Sequence, residues 1–177
     1  MNLKSLGNLL GNRDNNYVNS LTTIGLSSFN GAKSLQIDLD RATELETLGD
    51  SAAFNNCGSG IKMTKLPPKI THISSYCFGD CPNVIIEDFS QIVSMGSFKS
   101  DGTSAKNPCL AGCGTGNGDL SIILPGELKA FAAQCFKGYA EGKNISATSA
   151  AGVQISSETL LDLGFKPEQI QTINILY

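Results

Sequence analysis

Apolar and polar positions along this chain follow a layout that returns four times. The segments are "LTTIGLSSFNGAKSLQIDL" (21–39), "LETLGDSAAFNNCGSGIKMTKLP" (45–67), "ITHISSYCFGDCPNVIIEDF" (70–89) and "LKAFAAQCFKGYAEGKNISA" (128–147). Each opens on two apolar residues three apart: Leu21/Ile24, Leu45/Leu48, Ile70/Ile73 and Leu128/Phe131. Phenylalanine follows at Phe29, Phe54, Phe78 and Phe136, and three residues further stands Ala32, Cys57, Cys81 or Tyr139. The turn beyond each phenylalanine favours Gly, Asn and Asp, which tolerate tight backbone conformations. An apolar stretch then follows in the first three, such as Leu35/Ile37/Leu39, with the two-residue period of a strand that has one face inward.

A further copy is interrupted. Ile92 and Met95 open it, but Leu110 takes the phenylalanine place 15 positions after Met95, whereas Ile73 precedes Phe78 by 5, so ten extra residues lie within 96–108. Its strand, "LSIILP" (120–125), returns after a stretched "GTGNGD" (114–119). A period in the twenties has a physical meaning. One unit of that length cannot bury its own apolar face, but stacked units share a continuous core in which equivalent positions form ladders.

These copies resemble the BspA-like leucine-rich repeats, whose unit reads roughly as an Ile-Gly pair, Ala-Phe, a Gly-Cys turn, then Leu-x-x-Ile-x-Leu-Pro. "TIGLSSFNGAKSLQIDL", "LGDSAAFNNC", "ISSYCFGDCPNVII" and "CLAGC…LSIILP" carry the likeness, with Pro67 and Pro125 at the strand exits. The resemblance covers about residues 21–147. It implies an α/β repeat fold: a right-handed leucine-rich-repeat solenoid of about five irregular repeats, with short parallel strands on one face and single helical turns on the other. Adhesion and protein binding are the roles that come with it. The interrupted copy and the N-terminus depart from the secreted members of the family.

All six cysteines fall on two columns of the repeat. Cys77, Cys109 and Cys135 precede the Phe/Leu column, and Cys57, Cys81 and Cys113 stand three after it, where other copies have Ala32 and Tyr139. Alternation with Ala and Ser is how a small buried residue behaves. The pairs 77/81 and 109/113 have a spacing that zinc sites also use. Both fit the repeat, however, and sibling copies hold non-ligands there, so the expectation is six free thiols and no metal.

Composition narrows the function. With 13 Lys+Arg against 16 Asp+Glu and no like-charge block, the chain lacks the clustered cations of a nucleic-acid surface. The acidic run "DLDRATELE" (38–46) reads as a solvated face and turn, because it lacks the residue spacing of a calcium loop. No apolar run is long enough for a spanning helix. "MNLKSLGNLLGNRDNNYVNS" (1–20) has none of the features of a secretory signal, which points to cytoplasmic synthesis without a signal peptide, with incorporation into a virion or other particle as an option. Catalytic constellations do not stand out. His72 is the only histidine and reads as a surface residue on a short strand, and "GTGNGD" lacks the Lys-Ser/Thr that completes a phosphate cradle. Asn144-Ile-Ser146 matches a glycosylation sequon that matters only with secretion. No cofactor is expected.

The organisation is therefore an N-terminal arm or cap (1–20), a solenoid (21–147) with an insertion loop (96–108), and a helix–strand cap (148–177). "SSETLLDLGF" (156–165) reads as a helix with Ser156 or Ser157 as N-cap and Gly164 as its stop, and "IQTINILY" (170–177) alternates like a strand. Repeat solenoids act by presenting a surface, so the expected function is a non-enzymatic scaffold for a protein partner or surface ligand. The alternative is a structural part of a homo- or hetero-oligomeric assembly such as a phage virion. Alternation nominates Gln36, Asp38, Lys62, Ile85, Glu87, Ser121 and Ile123 as the outward strand face. The insertion nominates Phe98, Lys99, Asp101 and Lys106, because a long loop that stacking does not require often carries binding, although a tolerated, partly disordered insertion is the alternative.

Overall fold

A computed structural model describes residues 16–171 apart from Asp50. The strands are β1 (Thr23–Ile24), β2 (Ile37–Asp38), β3 (Thr47–Leu48), β4 (Ile61–Lys62), β5 (His72–Ile73), β6 (Ser94–Met95), β7 (Asp119–Leu124) and β8 (Asn144–Ser149). Every pair among them is parallel. The chain winds as a solenoid of about five coils. On one ladder Ile24 lies opposite Leu48, Ile73 opposite Met95, and Met95 opposite Phe131. These are the apolar residues that open each copy. On the second ladder Ile37 faces Ile61, single bridges join Met63 to Val84 and Asp88 to Ile123, and β7 pairs with β8 along all six residues.

The side of each coil that carries phenylalanine is a run of single turns, with Ala32 N bonded to Phe29 O (2.9 Å) and Tyr139 N to Phe136 O (2.9 Å). Amides on this side also reach the next coil: Phe29 N to Ala53 O (3.0 Å), Phe54 N to Cys77 O (2.8 Å) and Phe78 N to Cys109 O (3.1 Å). Two residues before each phenylalanine, Ser27, Ala52, Tyr76 and Gln134 all have positive φ. Such a conformation is uncommon outside glycine. Its recurrence at one position accompanies the amides that point along the stack.

Within the coils the phenylalanines form a column. Phe29 stacks on Phe54 (centroids 5.3 Å, 13°) and Phe54 on Phe78 (5.4 Å, 8°). Leu110, fully buried, takes the next place. Phe136 then stacks on Phe165 (5.2 Å, 22°), so the column runs into the C-terminal segment. Parallel offset rings at this spacing add to the burial they bring.

All six cysteines are free and buried. The thiols of Cys57, Cys81 and Cys113 donate to the carbonyls of Phe29 (2.8 Å), Phe54 (3.1 Å) and Phe78 (2.7 Å), each one coil back. Cysteine at this column is thus a small apolar group that also supplies a donor to a buried acceptor. Burial pushes the thiols of Cys77, Cys113 and Cys135 up to about 12.

Both ends are covered by chain. Helix α1 (Asn16–Asn19) puts Val18 into the core. Helix α2 (Ser157–Leu163) starts at Ser156, whose hydroxyl accepts from Thr159 N, and ends at Gly164 with φ 105°. Phe136 N bonds to Leu163 O (2.9 Å), and buried Gln169 donates to Tyr139 O (3.1 Å) and Ala140 O (3.0 Å). Beyond α2, Ile170 bridges Ile145 in parallel. Residues 1–15 of the expected arm and 172–177 of the expected strand lie outside the described residues.

Candidate functional site

The second ladder turns its outward side chains to solvent from short parallel strand pairs joined by single bridges. Asp38 stands opposite Lys62, and their side chains pair at 3.1 Å. Lys62 also reaches Asp40 (3.0 Å), so the cation nominated for binding is held within the protein. Asp40 ties the first coil to the second: its carboxylate accepts from Thr64 N (2.6 Å), Thr64 Oγ1 (2.8 Å) and Lys65 N (3.2 Å). Burial alone would raise this carboxyl, but those hydrogen bonds and the Lys62 ammonium outweigh it and hold Asp40 at about 2. Lys69 clasps Glu44 (2.8 Å) and Glu46 (2.9 Å), which accounts for the rest of the acidic run.

Further along, Gln36 and Glu87 are exposed, Ile85 is half-buried, and Ser121 and Ile123 point outward from β7. Ile123 N donates to Glu87 O (2.8 Å), which brings Glu87 and Ile123 together. Strand β8 adds residues that sequence reasoning missed. Ser146 Oγ lies 2.9 Å from Ser121 Oγ, and Asn144 donates to Asp119 (2.8 Å). "NISATS" buries only Ile145, Ala147 and Ser149, too little apolar character to read as a strand. Its six-residue register with β7 is the only signal, and that appears in space. Asn144 of the sequon thus sits at the start of β8.

His72 lies on β5, half-buried, with Nδ1 2.7 Å from Ser94 Oγ and 3.2 Å from Ser94 O. Among the described residues, no three His, Cys, Asp or Glu side chains are grouped to hold a metal ion, and no helix is long and apolar enough to cross a membrane.

The insertion is spliced cleanly into the stack. Ser75 Oγ bonds to Ser97 Oγ (2.8 Å), and its chain neighbour Tyr76 bonds through N to Pro108 O (2.6 Å). Residues 98–107 therefore stand outside the coil, ten in number as the spacing indicates. They form a hairpin rather than a loose loop. Phe98 and Ser104 bridge antiparallel, Lys99 N bonds to Thr103 O (2.8 Å), and Ala105 N bonds to Ser97 O (2.9 Å). At the tip, Asp101 Oδ1 accepts from Thr103 N (2.9 Å) and Thr103 Oγ1 (2.6 Å). The hairpin is moored by Ser104 Oγ to Ala133 O (3.2 Å) and by Tyr76 Oη to Asn107 Oδ1 (3.2 Å). Phe98, Lys99, Asp101 and Lys106 are all exposed on it. A cleft of about 360 Å³, lined by Ile92, Val93, Pro125, Lys129 and neighbours, lies where the coil opened by Ile92 meets the next. The sequence gives no sign of it beyond the odd Val93, which stays exposed between Ile92 and Met95.

A stack of parallel coils with a phenylalanine column and an Ile/Leu-opened ladder matches what comparison of the sequence finds. Residues 13–106 match the BspA type leucine rich repeat region, described with six copies. The chain belongs to the BspA-type leucine-rich repeat family. The BspA-type match ends inside the hairpin, where ten extra residues break the period, whereas the parallel pairing continues to β8 and Ile170. No match was found among curated proteins or among solved structures.

Proposed function

We propose that this BspA-type repeat protein is a non-enzymatic scaffold that binds another protein or a surface ligand through the inserted hairpin and the outward strand face of the second ladder. The observation that carries the reading is the splice at Ser97 and Pro108. The coils on either side stay in register without residues 98–107, so the hairpin is not required by the stacking that holds the solenoid together. The strand face supports the reading more weakly, because Asp38 and Lys62 already satisfy each other. Its other outward residues are Gln36, Glu87, Ser121 and Ile123, to which β8 adds the half-buried Ser146 and Thr148, with the Ser121 and Ser146 hydroxyls bonded to each other.

A photo-crosslinking residue placed singly at Lys99, Lys106 or Ser121, with Lys33 and Lys137 on the turn side as controls, tests this in the cells the protein comes from. The expected result is a discrete crosslinked protein at the hairpin or strand face and none at the controls. Equal capture at every position, or capture at none, overturns the reading. Sedimentation of the purified chain as an ordered homo-oligomer would favour the other reading, a structural component of a larger assembly such as a virion.

A further inference from the structure

We infer that the hairpin takes a short acidic peptide segment of a partner protein, one that carries an aromatic or branched aliphatic side chain among its carboxylates; this rests on the hairpin being the binding element. Charge and exposed apolar surface meet here. Lys62, Lys69, Lys129 and Lys166 each face a carboxylate of their own chain, but among the described residues no ion pair takes up Lys99 or Lys106. Asp101, the one acid of the hairpin, spends its Oδ1 on Thr103. That carboxylate keeps its charge, so with Lys99 and Lys106 the element carries a net charge of +1 on a chain whose net charge is −3.

Phe98 is 46% exposed on the hairpin, and Tyr76, 40% exposed, is tethered to the hairpin's return strand through Asn107. Aromatic side chains held by the fold lose little freedom on binding and are favoured anchors, while charges at the rim set partner choice and encounter rate. Two lysines are too few to track a phosphate backbone, so a carboxylate-bearing peptide suits the surface better than a nucleic acid.

Fluorescence anisotropy of the intact protein tests this with labelled Asp-Glu-Asp-Phe-Asp-Glu-Asp, its Phe→Gly variant, Lys-Arg-Lys-Phe-Lys-Arg-Lys and an oligothymidylate. The acidic phenylalanine peptide is expected to bind roughly tenfold or more tighter than the other three, and more weakly as salt rises. Lys99→Glu with Lys106→Glu should reverse the preference between acidic and basic peptides, and Phe98→Ala should lose about tenfold. All three residues are exposed, and circular dichroism checks that the variants fold. Absent or equal binding of the acidic and basic peptides, preference for the oligothymidylate, or unchanged binding by the variants overturns the inference. If crosslinking at Lys99 and Lys106 persists in that case, only the peptide chemistry is wrong. If crosslinking is also lost, the binding role of the hairpin goes with it.

Discussion

The phenol of Tyr139 meets both backbone groups of Ile86, donating to the carbonyl at 2.6 Å and accepting from the amide at 2.8 Å. The two residues are 53 apart in sequence, and Tyr139 is wholly buried. Its column holds Ala32 or a cysteine in the other coils, where the shorter thiols reach carbonyls no further than one coil away. Among the described residues the strand stretch around Ile86 pairs with β7 only at Asp88–Ile123, so the phenol supplies the partner that Ile86 would otherwise lack. Burial pushes the hydroxyl above the ordinary tyrosine range, which keeps it a donor.

Tyr139→Phe removes that hydroxyl and leaves a buried N–H and C=O without a partner. The cost should be about 1–3 kcal/mol, read from denaturant unfolding. Hydrogen exchange should speed up at the Ile86 amide more than at Ile24 or Ile145. Unchanged protection at Ile86 would mean that another group satisfies it.

Phe78→Ala takes a ring from the middle of the column, where Phe54 stacks on one side and Leu110 follows on the other. Lost transfer energy and the cavity together should cost about 3–5 kcal/mol. A loss of a few tenths would show that the neighbouring rings collapse into the gap. Glycine offers a different check on close stacking. A Cβ at Gly60 would land on the backbone of Leu35, so Gly60→Ala should force neighbouring coils apart and destabilise the protein, although Gly60 itself has no positive φ.

The phenylalanine and cysteine columns were legible because each uses one residue type at a fixed interval, and the interval survives in space. The ten-residue insertion was legible for the same reason: Ser97 and Pro108 resume the count on either side. Tyr139 was placed correctly in its column, but the reach of its hydroxyl past one coil goes with the stretch around Ile86 meeting β7 at a single bridge, Asp88–Ile123, which no periodicity encodes. Phe165 extends the ring column from behind α2, where helical spacing hides the repeat. On the candidate surface, alternation found Asp38 and Lys62 facing outward but could not show that they pair. It also passed over Ser146 and Thr148, whose strand earns its place by its register with β7 rather than by hydrophobicity.

Alkaline pH should destabilise the solenoid through its thiols. Burial holds Cys77, Cys113 and Cys135 at about 12 in the folded protein, above their value near 9 when exposed. Below pH 9 both states keep the proton, and the thiols favour neither. As pH rises from 9 towards 12 only the unfolded chain releases protons, so stability falls by at most about 1.4 kcal/mol per thiol per pH unit. Unfolding free energy measured between pH 8 and 11 should show this slope under reducing conditions, and Cys77→Ala should shed about a third of the contribution of these three residues. A flat profile would mean that the thiols are open to water.

Acid acts through Asp40 in the opposite sense. Its carboxyl is held at about 2 in the fold against an ordinary value of 3.8, so the stabilisation is present above pH 4 and disappears as pH falls towards 2. Asp40→Asn should weaken the link between the first two coils at neutral pH and flatten the acid limb of the stability curve in that window. An unchanged acid limb would place the titrating group elsewhere, outside the clasp with Thr64 and Lys65.

Excising residues 98–107 and joining Ser97 directly to Pro108 sets the fold of the hairpin against its function. The partners of these two residues, Ser75 and Tyr76, are consecutive in the chain, so the shortened coil follows a path its neighbour already takes. The bonds from Ser104 to Ala133 and from Tyr76 to Asn107 disappear, at about 0.5–1.5 kcal/mol each, and a shorter connection offsets part of that loss. The excised protein should therefore unfold within about 2 kcal/mol of the parent while losing the crosslinks formed at Lys99 and Lys106 and the affinity for acidic peptide. A much larger loss of stability would make the hairpin a brace between the coils that carry Tyr76 and Ala133, and the argument that it is free to serve a partner would fail.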